Sequence, residues 1–480
     1  MFTMQQIFHF LCPLILLGLA LNGCAEFQDR PLQPEASQMR LEARSLDSHE
    51  LQSFMQTVSG SAAVWPLKRW NVDQLTLAAI YYNPDLSLIR AQAATAEAAI
   101  ITAGQRPNPN LNVSPTWISN AVAASQPWII GSSLSIPIET AGKRDYRIQK
   151  AQALSDAAHL RIVDSIWLVR GRIRLAMLEV FAAQQSEQLL KQQFGIQQAM
   201  TQRLEQQLAA GELSRLDVMR ARLASNALQL NVSAAEKRRN QSRALLANAM
   251  GVPVSALAAV ELDFAALDIP ADLAGVPVQV LRDIALKQRP DLLAALADYN
   301  AAQAALQIEI ANQYPNIQAN PGYTWDIGAH YWTLAASALQ LPVFHQNQGS
   351  IAEAEAKRQE MAVRFEALQL RILGDIDRAQ AGLSAMIAKW QDAEKQTRLQ
   401  QDNLQSSQAL FQAGETDSLA LLSAELEGIV SETARLNVLI ETQQALNALE
   451  DTLRYPLASA LTAKSIADTA LWKSPHENTP

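Results

Sequence analysis

The sequence predicts a mainly α protein with a small β part, assembled from one unit written twice, and three observations carry that expectation. The stretch RPNPNLNVSPTW, Arg106–Trp117, alternates apolar and polar residues between segments of helical composition, and a period of two marks a strand. Further on, NQYPNIQANPGY repeats its key positions: Pro109, Asn110, Leu111 and Pro115 answer to Pro315, Asn316, Ile317 and Pro321, 206 positions later. Finally, no proline occurs between Pro137 and Pro253 or between Pro342 and Pro456. Proline breaks helix interiors, and both intervals are rich in Ala, Leu, Gln, Glu and Arg, so each is expected to be helical.

The duplication extends both ways from the strands. YYNPDLSLIRAQ corresponds to KQRPDLLAALAD, with Pro84, Asp85 and Leu86 matching Pro290, Asp291 and Leu292. Downstream, Gly211, Glu212 and Leu216 match Gly414, Glu415 and Leu419 at an offset of 203. So long a period implies two large halves and not a solenoid. The expected organisation is a leader over 1–23, an N-terminal segment over 24–72, a first repeat over 73–252, a connector over 253–280, a second repeat over 281–456 and a flexible tail over 457–480.

Within the first proline-free interval Ile162, Ile166, Val169, Ile173, Ala176 and Val180 are spaced 4, 3, 4, 3 and 4, the seam of a coiled coil. A helix from about Gly142 to Ala210 would run roughly 100 Å. Gly211 and Gly414 suit the left-handed residue that ends a helix, so each half should fold back there, with Asp217 and Asp417 serving the start of the returning helices.

The strands carry opposite chemistry on their two faces. Leu111, Val113, Pro115 and Trp117 share one parity, and Asn110, Asn112, Ser114 and Thr116 the other. Trp128, Ile130, Leu134 and Ile136 oppose Gly131, Ser133 and Ser135, and Ile317, Ala319, Pro321, Tyr323 and Trp325 oppose Asn316, Gln318, Asn320, Gly322 and Thr324. Apolar outside, polar inside and aromatic near the ends is the pattern of an outer-membrane barrel wall. The predicted hairpins span about 110–137 and 316–342, with the fourth strand over about Tyr331–Leu341. There Trp332 and Leu334 fall on the parity expected to face the lumen. Four strands cannot close a barrel, and open edges are not tolerated in lipid, so the barrel must be shared between chains.

An apolar run from Leu11 to Leu21 has signal-peptide length and ends in Leu21, Asn22, Gly23 and Cys24, followed by Ala25. This resembles a bacterial lipobox, with Cys24 as the acylated residue and Ala25 compatible with release to the outer membrane. The leader lacks Lys or Arg before its core. Cys12 and Cys24 are the two cysteines, so the mature chain has no disulfide pair.

The paired NPDL and RPDL motifs, the paired proline-led strands, LPVF at Leu341–Phe344 and the turns at Gly211 and Gly414 together resemble the TolC-type outer-membrane factors, over roughly Trp70–Pro456. The resemblance implies a homotrimer whose chains each give four strands to a twelve-stranded transmembrane barrel and long helical hairpins to a periplasmic α-barrel. It implies an exit duct in the cell outer membrane, extending into the periplasm and fed by a periplasmic adaptor and an inner-membrane pump of the RND type. IETAGKRDYRIQKAQAL, Ile138–Leu154, is similar to the heavy-metal-cation branch. The alternative for Lys143 and Arg144 is snorkelling at the membrane boundary. By the same resemblance the helical tip carries the adaptor contact and the constriction. Gly211, Glu212, Arg215, Asp217 and Gly414 are the contact candidates, and Glu415, Asp417 and Glu425 the gate and selectivity candidates.

Other functions fit less well. A net charge of −8 with 18% charged residues gives no footprint for nucleic acid. No nucleophile elbow or phosphate loop is present, so no catalytic residue is assigned. His49, His159, His330, His345 and His476 lack ligand spacing, so no metal site and no cofactor beyond the lipid on Cys24 is expected. A multidrug or type I secretion duct of the same fold, or a lipidated periplasmic coiled-coil adaptor, are the alternatives.

Overall fold

The chain divides after Arg44 into a small N-terminal unit and a large body. The computed structural model describes residues 25–59, 65–119, 128–258, 260–270, 276–326, 329–337 and 343–457. Cys24, its leader and the tail from residue 458 lie outside the described residues. The N-terminal unit contains helix α1, Pro34–Glu42.

The body opens with helix α2, His49–Ser59, strand β1, Arg69–Trp70, helix α3, Val72–Tyr82, and helix α4, Pro84–Gly104. NPDL is the joint between the last two. Asn83 accepts from the Asp85 amide at 2.9 Å, and Pro84 sits at the first helical position, where its missing N–H leaves no bond unmade. The first hairpin follows as β2, Asn110–Trp117, and β3, Trp128–Ile138. Helix α5, Lys143–Ala209, has 67 residues, and helix α6, Arg215–Met250, returns beside it. The second half repeats the plan: α7, Val278–Gln288, α8, Pro290–Ala311, β5, Ile317–Asp326, β6, Ala329–Ser337, α9, Gln348–Gln412, and α10, Ser418–Leu453. RPDL again forms a joint, with Arg289 paired to Asp291 at 2.6 Å.

The connector is more ordered than its prolines and glycines suggested. A 3-10 turn, Val254–Leu257, leads to strand β4, Glu261–Leu262, which pairs in parallel with β1. Arg69 reinforces the pair through Glu261 at 2.8 Å. Two-residue strands carry too little periodicity to be read from sequence. Helix α7 also begins at Val278, inside the expected connector.

Two apolar clusters hold the halves. The larger draws on α2, α3, α5, α6 and α10 and includes Leu51, Phe54, Trp70, Ile80, Trp167 and Leu246; the smaller joins α7, α8, α9 and α10 through Leu281, Leu292, Ile372, Ile376 and Leu453. The seam residues Ile162, Ile166, Val169, Ile173 and Val180 are all buried, as the heptad spacing predicts.

The four long strands form one antiparallel sheet in the order β2-β3-β5-β6. Its register settles the fourth strand against the expectation. Trp332 stands opposite Tyr323 and Leu334 opposite Pro321, and directly paired residues share a face. Trp332 and Leu334 therefore lie on the apolar outer face, at 82% and 81% exposure. The parity was misassigned because alternation within one strand does not fix its register with the next; the described part of β6 ends at Ser337, and residues 338–342 of the expected hairpin lie outside the described residues.

Candidate functional site

The sheet positions a wall. All four connected helices leave it at one end: α4 before β2, α5 after β3, α8 before β5 and α9 after β6. At the opposite, turn end the outer face carries aromatics. Trp117 meets Trp128 edge-on at 4.8 Å, and Tyr323 lies 4.9 Å from Trp332. Such rings suit a membrane interface. The other face is lined by Asn112, Ser114, Ser133, Ser135, Gln318, Asn320, Thr324 and Thr333. It is tight: a side chain at Gly131 would approach Ser114 Oγ to 2.8 Å, and one at Gly322 would approach Thr333 Oγ1 to 2.7 Å. Strands β2 and β6 each have one paired edge in the sheet.

Where wall meets helix, the Gly-Lys-Arg motif is a structural collar. Gly142 has φ +72°. Lys143 is buried and donates to the Tyr314 carbonyl at 2.6 Å and to Asn316 Oδ1 at 2.7 Å, binding the first half to the start of the second hairpin. Arg144 donates to the Gly104 carbonyl at 2.7 Å. Lys143 thus points into protein and does not snorkel.

At the far ends, Gly211 and Gly414 have φ +80° and +77°, the left-handed geometry that favours glycine. The two turns differ in chemistry. Ser214 caps α6 and donates to Asp217 Oδ2 at 2.6 Å. Asp417 takes the place of Ser214 and caps α10, accepting from the Ala420 amide at 2.8 Å. Glu212 and Glu415 are exposed, and so is Arg215, which has no ion pair among the described residues. Glu425 stands apart from the turn. It is half-buried and lines a groove of about 390 Å³ with Leu189, Gln192, Ile196 and Leu404, between α5 and the second hairpin.

One junction escaped the sequence reading. Arg170 and Arg174 of α5 converge on Glu450 of α10 at 3.0 and 3.3 Å, and Arg174 also donates to Gln443 Oε1 at 3.1 Å. Burial would raise the Glu450 carboxyl, but the two guanidinium charges outweigh it and hold it below its ordinary value. Its neighbour Asp451 behaves oppositely: burial pushes it up to about 6 despite Arg454 and Arg170. Asp451 accepts from Asn447 Nδ2 at 3.0 Å and packs onto Gly171, where any side chain would collide with the carboxylate. Because its folded pKa lies above the unfolded one, the protonated Asp451 carboxyl contributes stability that is lost as pH rises from about 4 through 6. Asp451→Asn should therefore raise the melting temperature at pH 7.5 by the equivalent of about 3 kcal/mol and leave it little changed at pH 4. Melting curves at the two pH values check this.

Paired faces on a four-stranded sheet, long hairpins leaving one end of it and glycine turns at their tips define a duplicated outer-membrane channel subunit. The family model of outer membrane efflux proteins matches residues 77–252 and 281–453, and the chain belongs to that family. It is 26% identical over 377 residues to the cobalt-zinc-cadmium resistance protein CzcC of Cupriavidus metallidurans, covering 77% of this chain and 86% of that protein. It is 25% identical over 411 residues to the pyoverdine export outer membrane protein OpmQ of Pseudomonas aeruginosa, covering 79% and 80%. Among solved structures, CusC matches with TM-score 0.64 and 19% identity over 89% of this chain and 99% of that one, and the channel OprN with TM-score 0.64 and 18% identity over 89% and 98%. The protein is an outer-membrane exit duct of a tripartite efflux system, not an enzyme. Its family resemblance and fold class stand as the sequence predicted. Among the described residues no group of His, Cys, Asp and Glu could hold a metal ion, and no helix is long and apolar enough to cross a membrane.

Proposed function

We propose that this chain forms a homotrimeric, lipid-anchored duct that passes heavy-metal cations delivered by an RND-type pump through a periplasmic adaptor. The observation that carries the trimer is an imbalance between the halves. Leu216, Met219, Leu223 and Leu230 form a heptad stripe on α6, each at least half exposed. Their counterparts in the second half, Leu419, Leu422, Leu426 and Thr433, are half-buried on α10, which packs against α5 within the chain. Among the described residues, helix α6 has no comparable packing on α9 of its own chain. The missing packing is supplied when α9 of a neighbouring copy, with exposed Leu399, Leu410 and Phe411, takes the place that α5 takes for α10. Such head-to-tail contacts close a ring, and three chains bring twelve strands, sealing the open edges of β2 and β6.

The likeness to CzcC favours cations, and the tip is compatible: Glu415 and Asp417, repeated three times, would favour cations over anions. Acylation of Cys24 supplies the anchor. The decisive experiment is deletion of the gene followed by growth on cobalt, zinc or cadmium salts. Metal sensitivity of the deletion strain, reversed by the wild-type chain, supports the proposal. Unchanged metal tolerance with lost drug tolerance or protein secretion assigns the duct to those cargoes, and a soluble monomer in fractionation points to an adaptor.

A further inference from the structure

The barrel wall contains one formal charge per chain. Across 107–138 and 315–344, which include both hairpins and their connections, the only Asp, Glu, Lys or Arg is Asp326. It ends β5 at the turn end of the sheet, paired with Ile129 of β3 and Ala329 of β6. The register puts it on the face of Thr324, Gly322 and Asn320, opposite the aromatic and aliphatic face. It has no ion pair among the described residues, and the basic residues nearest in sequence to the hairpins, Arg106, Lys143 and Arg144, lie at the helical end of the wall.

From this arrangement we infer that Asp326 is the specificity-determining residue of the outer mouth: three copies form a carboxylate ring that favours cations leaving the duct. The inference rests on the channel reading above and adds to it a second charge filter, remote from the tip. Below the ring the inner face carries amides, hydroxyls, glycines, Ala335 and Pro137 but no formal charge, so it does not choose the sign of a solute. A fixed charge in such surroundings is not offset by neighbours, so it sets the local potential and the local counter-ion concentration. Its position at the exit means that it acts on every solute whatever the pump delivers. Ile129 and Ala329 beside it offer no competing donor.

The test is the reversal potential of purified trimers in planar bilayers under a potassium chloride gradient. Wild type should show cation preference. Asp326→Asn should lose much of it and Asp326→Lys should move the reversal potential toward anions, both without loss of the trimer band. The same shifts should appear in a background carrying Glu415→Gln with Asp417→Asn, which removes the tip charges while Asn keeps the α10 cap. Unchanged reversal potentials in both Asp326 variants would overturn the assignment while leaving the channel intact. Absence of any conductance from wild-type trimers would instead overturn the channel reading on which the assignment depends.

Discussion

Replacing Glu450 by Ala is expected to cost about 3 to 5 kcal/mol of stability, because it strips the counter-charge from two buried guanidinium groups. Arg170 and Arg174 are both nearly inaccessible, and Arg170 Nε and Nη2 and Arg174 Nε already lack hydrogen-bond partners among the described residues. Glu450 also accepts from the Leu457 amide at 2.7 Å, so its removal frees the segment that follows α10. This ion network joins α5 of the first half to α10 of the second, which makes the effect one on the union of the halves. Thermal or denaturant unfolding of the purified protein measures it. A triple replacement, Arg170→Met, Arg174→Met and Glu450→Leu, separates charge from packing. It should recover most of the stability, since apolar residues of similar volume often replace a buried ion network at little cost. If Glu450→Ala melts like wild type, the network is not holding the halves together.

The legible parts of this protein were those written in periodicity. The seam from Ile162 to Val180, the alternation from Leu111 to Trp117 and the glycines at 211 and 414 each follow from local rules, and duplication let one copy confirm the other. The illegible parts depend on partners distant in sequence. Glu450 meets Arg170 across 280 positions, and nothing in either local pattern distinguishes them from ordinary helix-surface charges. Lys143 reads as a boundary residue until Tyr314 and Asn316 are brought to it. Asp417 read both as a helix-start residue and as a gate candidate, and the structure bears out the first through its cap on the Ala420 amide. In the first half the cap is Ser214, and Asp217 lies one turn further into the helix. Trp332 and Leu334 were misassigned because parity within one strand says nothing about register with the next.

Register also makes the wall open to a two-sided test. Leu134 and Ser133 are adjacent in β3 near the middle of the strand, yet Leu134 faces outward beside Leu111 while Ser133 faces inward between Asn112 and Gly322. Leu134→Arg places a charge in hydrocarbon and should cost about 2 to 4 kcal/mol at mid-membrane depth. Ser133→Arg directs the same charge toward the polar lumen and should be much milder. Ile136→Arg, opposite Ala319 on the outer face, should be harmful too, and less so if it lies nearer the helical end, because the penalty falls toward an interface. Trp332→Arg, at the turn end among the aromatic rings, should follow the same decline. Chemical denaturation from lipid vesicles, together with the yield of heat-modifiable trimer in outer-membrane fractions, ranks the variants. A half-buried hairpin on a soluble protein would tolerate an exposed Arg at either position, so an equal response from Leu134 and Ser133 would remove the membrane wall from the account. A graded response confined to the Leu134 face requires lipid on that side, and with it the neighbouring chains that close the edges of β2 and β6.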